Sequence, residues 1–368
     1  MIKSPSPAPA DGVLPDVAIR DLMRAGGVLG ADAERVQPAS LDLTLGATAW
    51  RVRASFLPLT GRTVRERLAD GPLMHEIDLR EGAVFERGCV YLVALRERLA
   101  LPSDLAAAAN PKSSTGRIDV FVRLVADGAD AFDVAPAGYD GPLYAEISPR
   151  TFSILAREGS SLNQLRFKRG APQIADADLA RLHAERGLLD ADADVAGGVG
   201  VRIDLSDATP GPVGWRARRH AGLIDVDAPD ALRAEDFFEP VRLASGPGLI
   251  LDPGEFYILA SKERLRVPPD CAAEMTPIST GLGEFRVHYA GFFDPGFGWS
   301  DASDAPTSRA VLEVRSRDAP FLLDDGQLVA RLVYERMAGA SKALYGAGVG
   351  SNYQGQGLKL SKHFRMPT

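Results

Sequence analysis

The strongest constraint on how this chain can fold is that it repeats itself. Residues 95–116 (LRERLALPSDLAAAANPKSSTG) lie without a gap over residues 261–282 (SKERLRVPPDCAAEMTPISTGL). Glu97, Arg98, Leu99, Pro102, Asp104, Pro111 and Ser113 fall on Glu263, Arg264, Leu265, Pro268, Asp270, Pro277 and Ser279. The offset of about 166 residues is far longer than a solenoid repeat, so the duplicated unit is a whole domain. A chain of 368 residues also exceeds what one hydrophobic core usually serves. Two domains are expected, 1–170 and 171–368, with a linker near Phe167 to Gln173 where Gly170 and Pro172 break regular structure.

The duplication recurs in the surrounding segments, at offsets of about 160 to 166 residues. Residues 14–29 carry apolar side chains at helical spacing (Ile19, Leu22, Met23) up to Gly26 and Gly27, and residues 174–189 repeat the pattern through Leu179 and Leu182 to Gly187. Ser40 to Leu45 and Val201 to Leu205 alternate as strands, with Asp42 matched by Asp204. Val84 to Leu95 and Leu249 to Leu259 read as strand pairs around tight turns at Arg87-Gly88 and Pro253-Gly254. Val120 to Val125, Leu143 to Ile147, Phe285 to Ala290 and Ala310 to Val314 are further strands. Short strands punctuated this often predict a mainly β chain of barrels or sandwiches with short helices, not a doubly wound sheet.

Charge and cysteine content narrow the function. A net charge of -7 argues against binding a nucleic-acid polymer, which needs a basic face to release counterions. Cys89 and Cys271 are too far apart in sequence to suggest a CxxC site or a disulfide framework, which fits a reducing cytoplasm. No apolar run approaches a membrane span, and the opening MIKSPSPAPADG reads as a short disordered lead. Zinc-dependent base deamination needs HxE and PCxxC ligand sets. The sequence has neither, and its His residues are scattered at 75, 183, 220, 288 and 363. The basic run Arg216, Arg218, Arg219 is a solvated loop or an oligomer contact, and Phe292, Phe293, Phe297, Trp215 and Trp299 read as packing residues.

The stretch Asn110 to Arg117 (NPKSSTGR) is dense in hydrogen-bond donors, which suits an anion, although the GxxxxGK[ST] spacing of a Walker loop is absent. Its duplicate, TPISTGLG, preserves the turn but drops both cations, so the turn itself does not need Lys112 or Arg117. Glu146 and Glu313 occupy matching strand positions (YAE and VLE). A carboxylate there is either paired with an Arg or poised as a base by burial.

PKSSTGR followed by a strand Glu, RVHYAGFFDPGFG, and the YQGQG at 353–357 together resemble the dCTP deaminase family, within the dUTPase-like fold. Both halves take part, and the tandem arrangement resembles the family's fused two-domain members. The resemblance implies duplicated, distorted β-barrels, trimeric assembly with sites at subunit boundaries, and conversion of dCTP to dUTP and ammonia. It implies no catalytic metal, Mg2+ only as companion of the triphosphate, and dTTP as a candidate effector. Residue by residue, Glu146 matches the general base, while Ser113 and Arg117 match residues that position the attacking water. Lys112, Ser113 and Ser114 match phosphate-binding positions. Tyr345, Tyr353 and Gln356 belong to the tail that closes over the nucleotide, and Asp294 matches the sugar-reading carboxylate. Asn352 stands where the family carries Lys.

The two copies depart from this pattern in opposite ways. The second has Ile278 and Gly283 in place of the cations but keeps Asp294, Glu313 and the tail. The first keeps Lys112, Ser113, Ser114, Arg117 and Glu146, has Pro136 in place of the Asp (with Asp133 nearby) and has no tail. The expectation is one composite site, with Lys112 to Arg117 and Glu146 from the first half closed by Tyr345 to Gln356 of the second. Two other readings stay open: a dUTP diphosphatase or bifunctional deaminase-diphosphatase, and a catalytically inactive nucleotide-binding protein.

Overall fold

The computed structural model describes residues 10–206, 211–243, 248–277, 291–300, 306–316, 318–346 and 353–365, together with the backbone of 285–288. Ile278, Gly283, Asn352 and the side chain of His288 lie outside the described residues, as does most of the opening lead. The chain is mainly β and forms two distorted barrels with short helices. No helix among the described residues is long and apolar enough to cross a membrane.

Duplication is visible in the strand order. One sheet of the first half runs Leu73–Asp78, Leu45–Val52, Val90–Ala100, Asp140–Pro149, Val120–Ala126. Its counterpart in the second half runs Phe238–Val241, Gly214–Ala217, Tyr257–Leu265, Ser308–Ser316, Phe285–His288. The other pair of sheets corresponds in the same way: Asn163–Arg169, Leu105–Pro111, Val134–Ala135 against Leu328–Arg336, Cys271–Pro277, Phe292–Phe293. The opening helices also repeat, as Asp16–Arg24 and Asp176–Arg186. Gly187, at φ 58°, ends the second of these in the left-handed conformation that a Cβ disfavours.

Two expectations need correction. The turns at Arg87-Gly88 and Pro253-Gly254 do not close hairpins. Ala83–Phe85 pairs with Ile154–Ala156 and Gly248–Leu251 with Phe321–Asp324, so each turn sends the chain from one sheet into another. Barrel corners require that switch, and turn residues alone do not distinguish it from a hairpin. Phe167 is not linker either, because it is fully buried within Asn163–Arg169. The irregular link is shorter, and Pro172 accepts a bond from Arg336 N (2.8 Å).

The halves share a core. The first half's apolar cluster includes Trp215, Phe237, Phe238, Phe256, Leu360 and Phe364 from the second. Phe152 meets Phe237 and Phe238 edge-on, each at 5.5 Å between centroids. Phe238 in turn meets Phe364 at 5.3 Å.

Polar contacts also cross the seam. Arg166, whose side chain is wholly buried, donates to Ala273 O (3.0 Å) and lies 3.3 Å from Asp294 and 3.4 Å from Glu335, over the Phe292 ring. Breaking a buried ion network from one side leaves carboxylates without compensation. Arg166→Met is therefore expected to lower stability by about 3–5 kcal/mol, read as a drop in the urea midpoint. A loss under 1 kcal/mol would mean that Lys168, 2.6 Å from Glu335, carries the compensation instead.

Candidate active site

A cleft of about 170 Å³ opens along this seam. Its first-half wall comes from the loop after Leu105–Pro111. Lys112 N donates to Leu162 O (2.9 Å), and one helical turn, Ser113–Gly116, then brings Ser113, Ser114 and Arg117 to the cleft. The second half supplies Asp294, Phe292, Phe297 and Glu313, and the segment after 340 supplies Tyr345, Tyr353, Gln356 and Lys362.

Arg117 is the hub. It is 3% exposed and donates to Gln356 Oε1 (2.9 Å) and Lys359 O (3.0 Å). Its guanidinium carbon lies 3.9 Å from the centroid of the Tyr353 ring. Its Nε sits 3.8 Å from Glu313 Oε1. Glu313 is 5% exposed on the Ser308–Ser316 strand, where its neighbours across the sheet are Ile258 and His288. Burial pushes its carboxyl up to about 8, with Arg117 offsetting part of the shift and Asp119 adding to it. A carboxyl in that condition can both take up and release a proton near neutrality.

The tail is fastened to both halves. Gln356 Nε2 donates to Arg309 O (3.0 Å), and Ser361 Oγ donates to Ser114 O (2.8 Å). Tyr345 packs on Phe297 at 5.4 Å between centroids, and burial raises its phenol pKa. Gly296 lets the Asp294 corner approach the tail. Its φ is 93°, and a Cβ there would lie 2.9 Å from Leu344 Cβ. Asp294 is buried against Arg166, and desolvation raises its pKa more than the cation lowers it.

Of the residues expected from sequence, Lys112, Ser113, Ser114, Arg117, Asp294, Glu313, Tyr345, Tyr353 and Gln356 all line this one cleft, and Glu146 does not. Glu146 accepts from Ser55 Oγ (2.9 Å) and faces Arg123 across the sheet, with its pKa raised by burial. The expected pairing of Glu146 with Lys112 to Arg117 is therefore not formed, because the first-half loop packs across the seam against the second half's Glu strand. Asp133 is likewise elsewhere, 2.7 Å from Arg123, with burial lifting its carboxyl to about 6.

Lys362, Asp42, Gln37 and Gln164 also line the cleft and were not anticipated. Asp42 binds Lys112, as its duplicate Asp204 binds Arg309, so the repeated Asp was the available signal. Lys362 had no signal, because it lies beyond the YQGQG motif. Burial and the nearby Lys112 lower its ammonium pKa. Among the described residues its Nζ has no hydrogen-bond or ion-pair partner. Nor, among them, does any group of three or more His, Cys, Asp and Glu gather that could hold a metal ion.

The comparisons with known proteins identify the family. Residues 10–171 match the N-terminal domain, and 175–364 the C-terminal domain, of 2'-deoxycytidine 5'-triphosphate deaminase. The crystal structure of 2'-deoxycytidine 5'-triphosphate deaminase from Agrobacterium tumefaciens is 50% identical, with a TM-score of 0.85 over 89% of this chain and 99% of that one. A dUMP-forming dCTP deaminase of Beutenbergia cavernae is 31% identical over 183 residues, which is 46% of this chain and 91% of the relative. A dCTP deaminase of Natronomonas pharaonis is 30% identical over 142 residues, covering 38% of this chain and 68% of its own length. With both domain types matched in order and a cleft built between them, the chain belongs to the dCTP deaminase family.

Proposed function

We propose that this chain deaminates dCTP hydrolytically in the seam cleft, with Glu313 as the proton carrier. The observation behind this is the buried Glu313 beside Arg117 in a cleft that also holds Lys112, Lys362, Ser113 and Ser114. The lysines and serines suit a triphosphate, with Mg2+ entering as its counter-ion. Tyr345 and Asp294 suit the sugar.

The chemistry balances with one water. Its oxygen adds to C4 of cytosine while the Glu313 carboxylate takes a proton and passes it to N3. The tetrahedral carbon then carries both hydroxyl and amine. Glu313 moves the hydroxyl proton to the amine, the C4–N bond breaks, and ammonia leaves a carbonyl at C4. Arg117 stabilises the carboxylate and holds Gln356 and Tyr353 in place, and the tail excludes bulk water, which strengthens these charge interactions.

The immediate product on this reading is dUTP. Incubation with dCTP and magnesium should yield ammonia in step with dUTP and no pyrophosphate. Pyrophosphate and dUMP in equal amounts would place the chain with the dUMP-forming relatives, and tight dCTP binding without ammonia would leave it a binding protein.

The acid limb of kcat/KM is a second test. Glu313 must be ionised to accept a proton, and its pKa is raised, so kcat/KM should fall as the pH drops through about 8. A limb near the ordinary carboxylate value would remove Glu313 as the base.

A further inference from the structure

Directly behind the Arg117–Glu313 pair lies a second ion pair of opposite polarity. Two residues along each element, Asp119 of the first half meets Arg315 of the second. Arg315 Nε is 3.1 Å from Asp119 Oδ2, and its Nη2 also reaches both that oxygen and Thr151 Oγ1 (2.7 Å). Its Nη1 donates to Gly254 O (2.7 Å). Asp119 is wholly buried and adopts φ 55°, a left-handed conformation that a non-glycine residue holds only when its surroundings enforce it. Gly116 O accepts from its N–H (2.8 Å), and its own carbonyl accepts from Arg150 N (2.9 Å), so the strained turn is pinned on both sides.

This placement ties the end of the Lys112 to Arg117 loop to the strand that carries Glu313. The Arg117–Glu313 contact, at 3.8 Å, is looser and has no direct hydrogen bond among the described contacts. The tight bond behind it therefore sets how closely the two halves of the site approach. We infer that Asp119 and Arg315 are positioning residues for the deamination site: the pair fixes the register of the first-half loop against the Glu313 strand across the seam. The inference rests on Glu313 being the proton carrier.

The two charges act on Glu313 with opposite signs. Asp119 opposes its ionisation, and Arg315 neutralises Asp119. The other groups around Glu313 are Arg117, and Lys112, Lys362, Asp294, Tyr345 and Tyr353 lining the same cleft, with His288 opposite it in the sheet register. None of these is altered in the test.

The test is the pH profile of kcat/KM for dCTP deamination by the full chain carrying Asp119→Asn, Arg315→Gln or Arg315→Lys. Asp119→Asn should move the acid limb down, and Arg315→Gln should move it up, each by on the order of one unit. Both should lower kcat, and Arg315→Lys should recover the limb more fully than kcat, because it restores charge without the planar fork. Loss of activity with the limb unmoved, or moved the same way in both variants, would overturn the inference and leave the pair purely structural. The substrate's own titrations are common to all variants. If Glu313→Gln stays active, the failure belongs to the functional reading instead. Should Arg315→Gln not fold, a lowered limb in Asp119→Asn beside a near-parent limb with reduced kcat in Arg315→Lys supports the inference, and an unmoved limb in Asp119→Asn overturns it.

Discussion

Glu313→Gln is expected to lower kcat for dCTP deamination by about 100- to 10,000-fold, while Glu146→Gln stays within a few-fold of the parent. The substitution keeps shape and removes the ability to carry a proton. Glu313 shares its cleft with Lys112, Ser113, Arg117 and the tail, whereas Glu146 shares its surroundings with Ser55, Arg123 and Asp133. Both glutamates are buried and both have raised pKa values, so burial alone does not separate them. Their neighbours do. Single-turnover ammonia release from the two variants makes the comparison, and the reverse outcome would move the working site to the first barrel.

The second large effect is expected at Arg117. Arg117→Met should lower kcat/KM by about 1,000-fold or more and also release the segment from Tyr353 to Leu360. Four partners depend on this guanidinium: Glu313, Gln356, the Lys359 carbonyl and the Tyr353 ring. Hydrogen exchange over that segment should accelerate in the variant without global unfolding. Arg117→Lys should recover little, since one ammonium cannot serve a carboxylate, an amide, a carbonyl and a ring face together. Activity loss with the tail still protected would confine Arg117 to the chemistry and leave tail docking to Ser361 and the Leu360 and Phe364 side chains.

Most of the identities in this site were readable from the chain. Lys112 and Arg117 could be picked out because the duplicate stretch TPISTGLG has no cation at their positions, and Ser113, Ser114, Asp294, Tyr345, Tyr353 and Gln356 because they sit in recognisable motifs. What could not be read was which copy serves which. The family pattern of a PKSSTGR loop followed by a strand Glu, together with the losses in the second copy, pairs Glu146 with Lys112 to Arg117. Contact across the seam reverses the match, and it does so through packing of whole barrels, which leaves no local pattern. Seen across the seam, the complementary losses become orderly. Lys112 to Ser114, Arg117, Asp294, Glu313, Tyr345, Tyr353 and Gln356 meet in this cleft, while Ile278, Gly283, Asn352, Pro136 and the missing first-half tail are the departures. The strand positions were legible for a different reason, since alternation reports burial directly. Their sheet partners at the barrel corners were not, because a turn at Arg87-Gly88 has the same residues whether it closes a hairpin or changes sheets.

The shared core also orders events in time. Leu360 and Phe364 pack with Phe152 and Phe237 in the cluster that fills the first barrel. During synthesis, the first barrel therefore waits for residues made about 200 positions later. At ribosomal speeds of 5–20 residues per second that delay is about 10–40 s. Through this interval the nascent first half presents an unfinished apolar face, and closing that face completes the cleft in the same step.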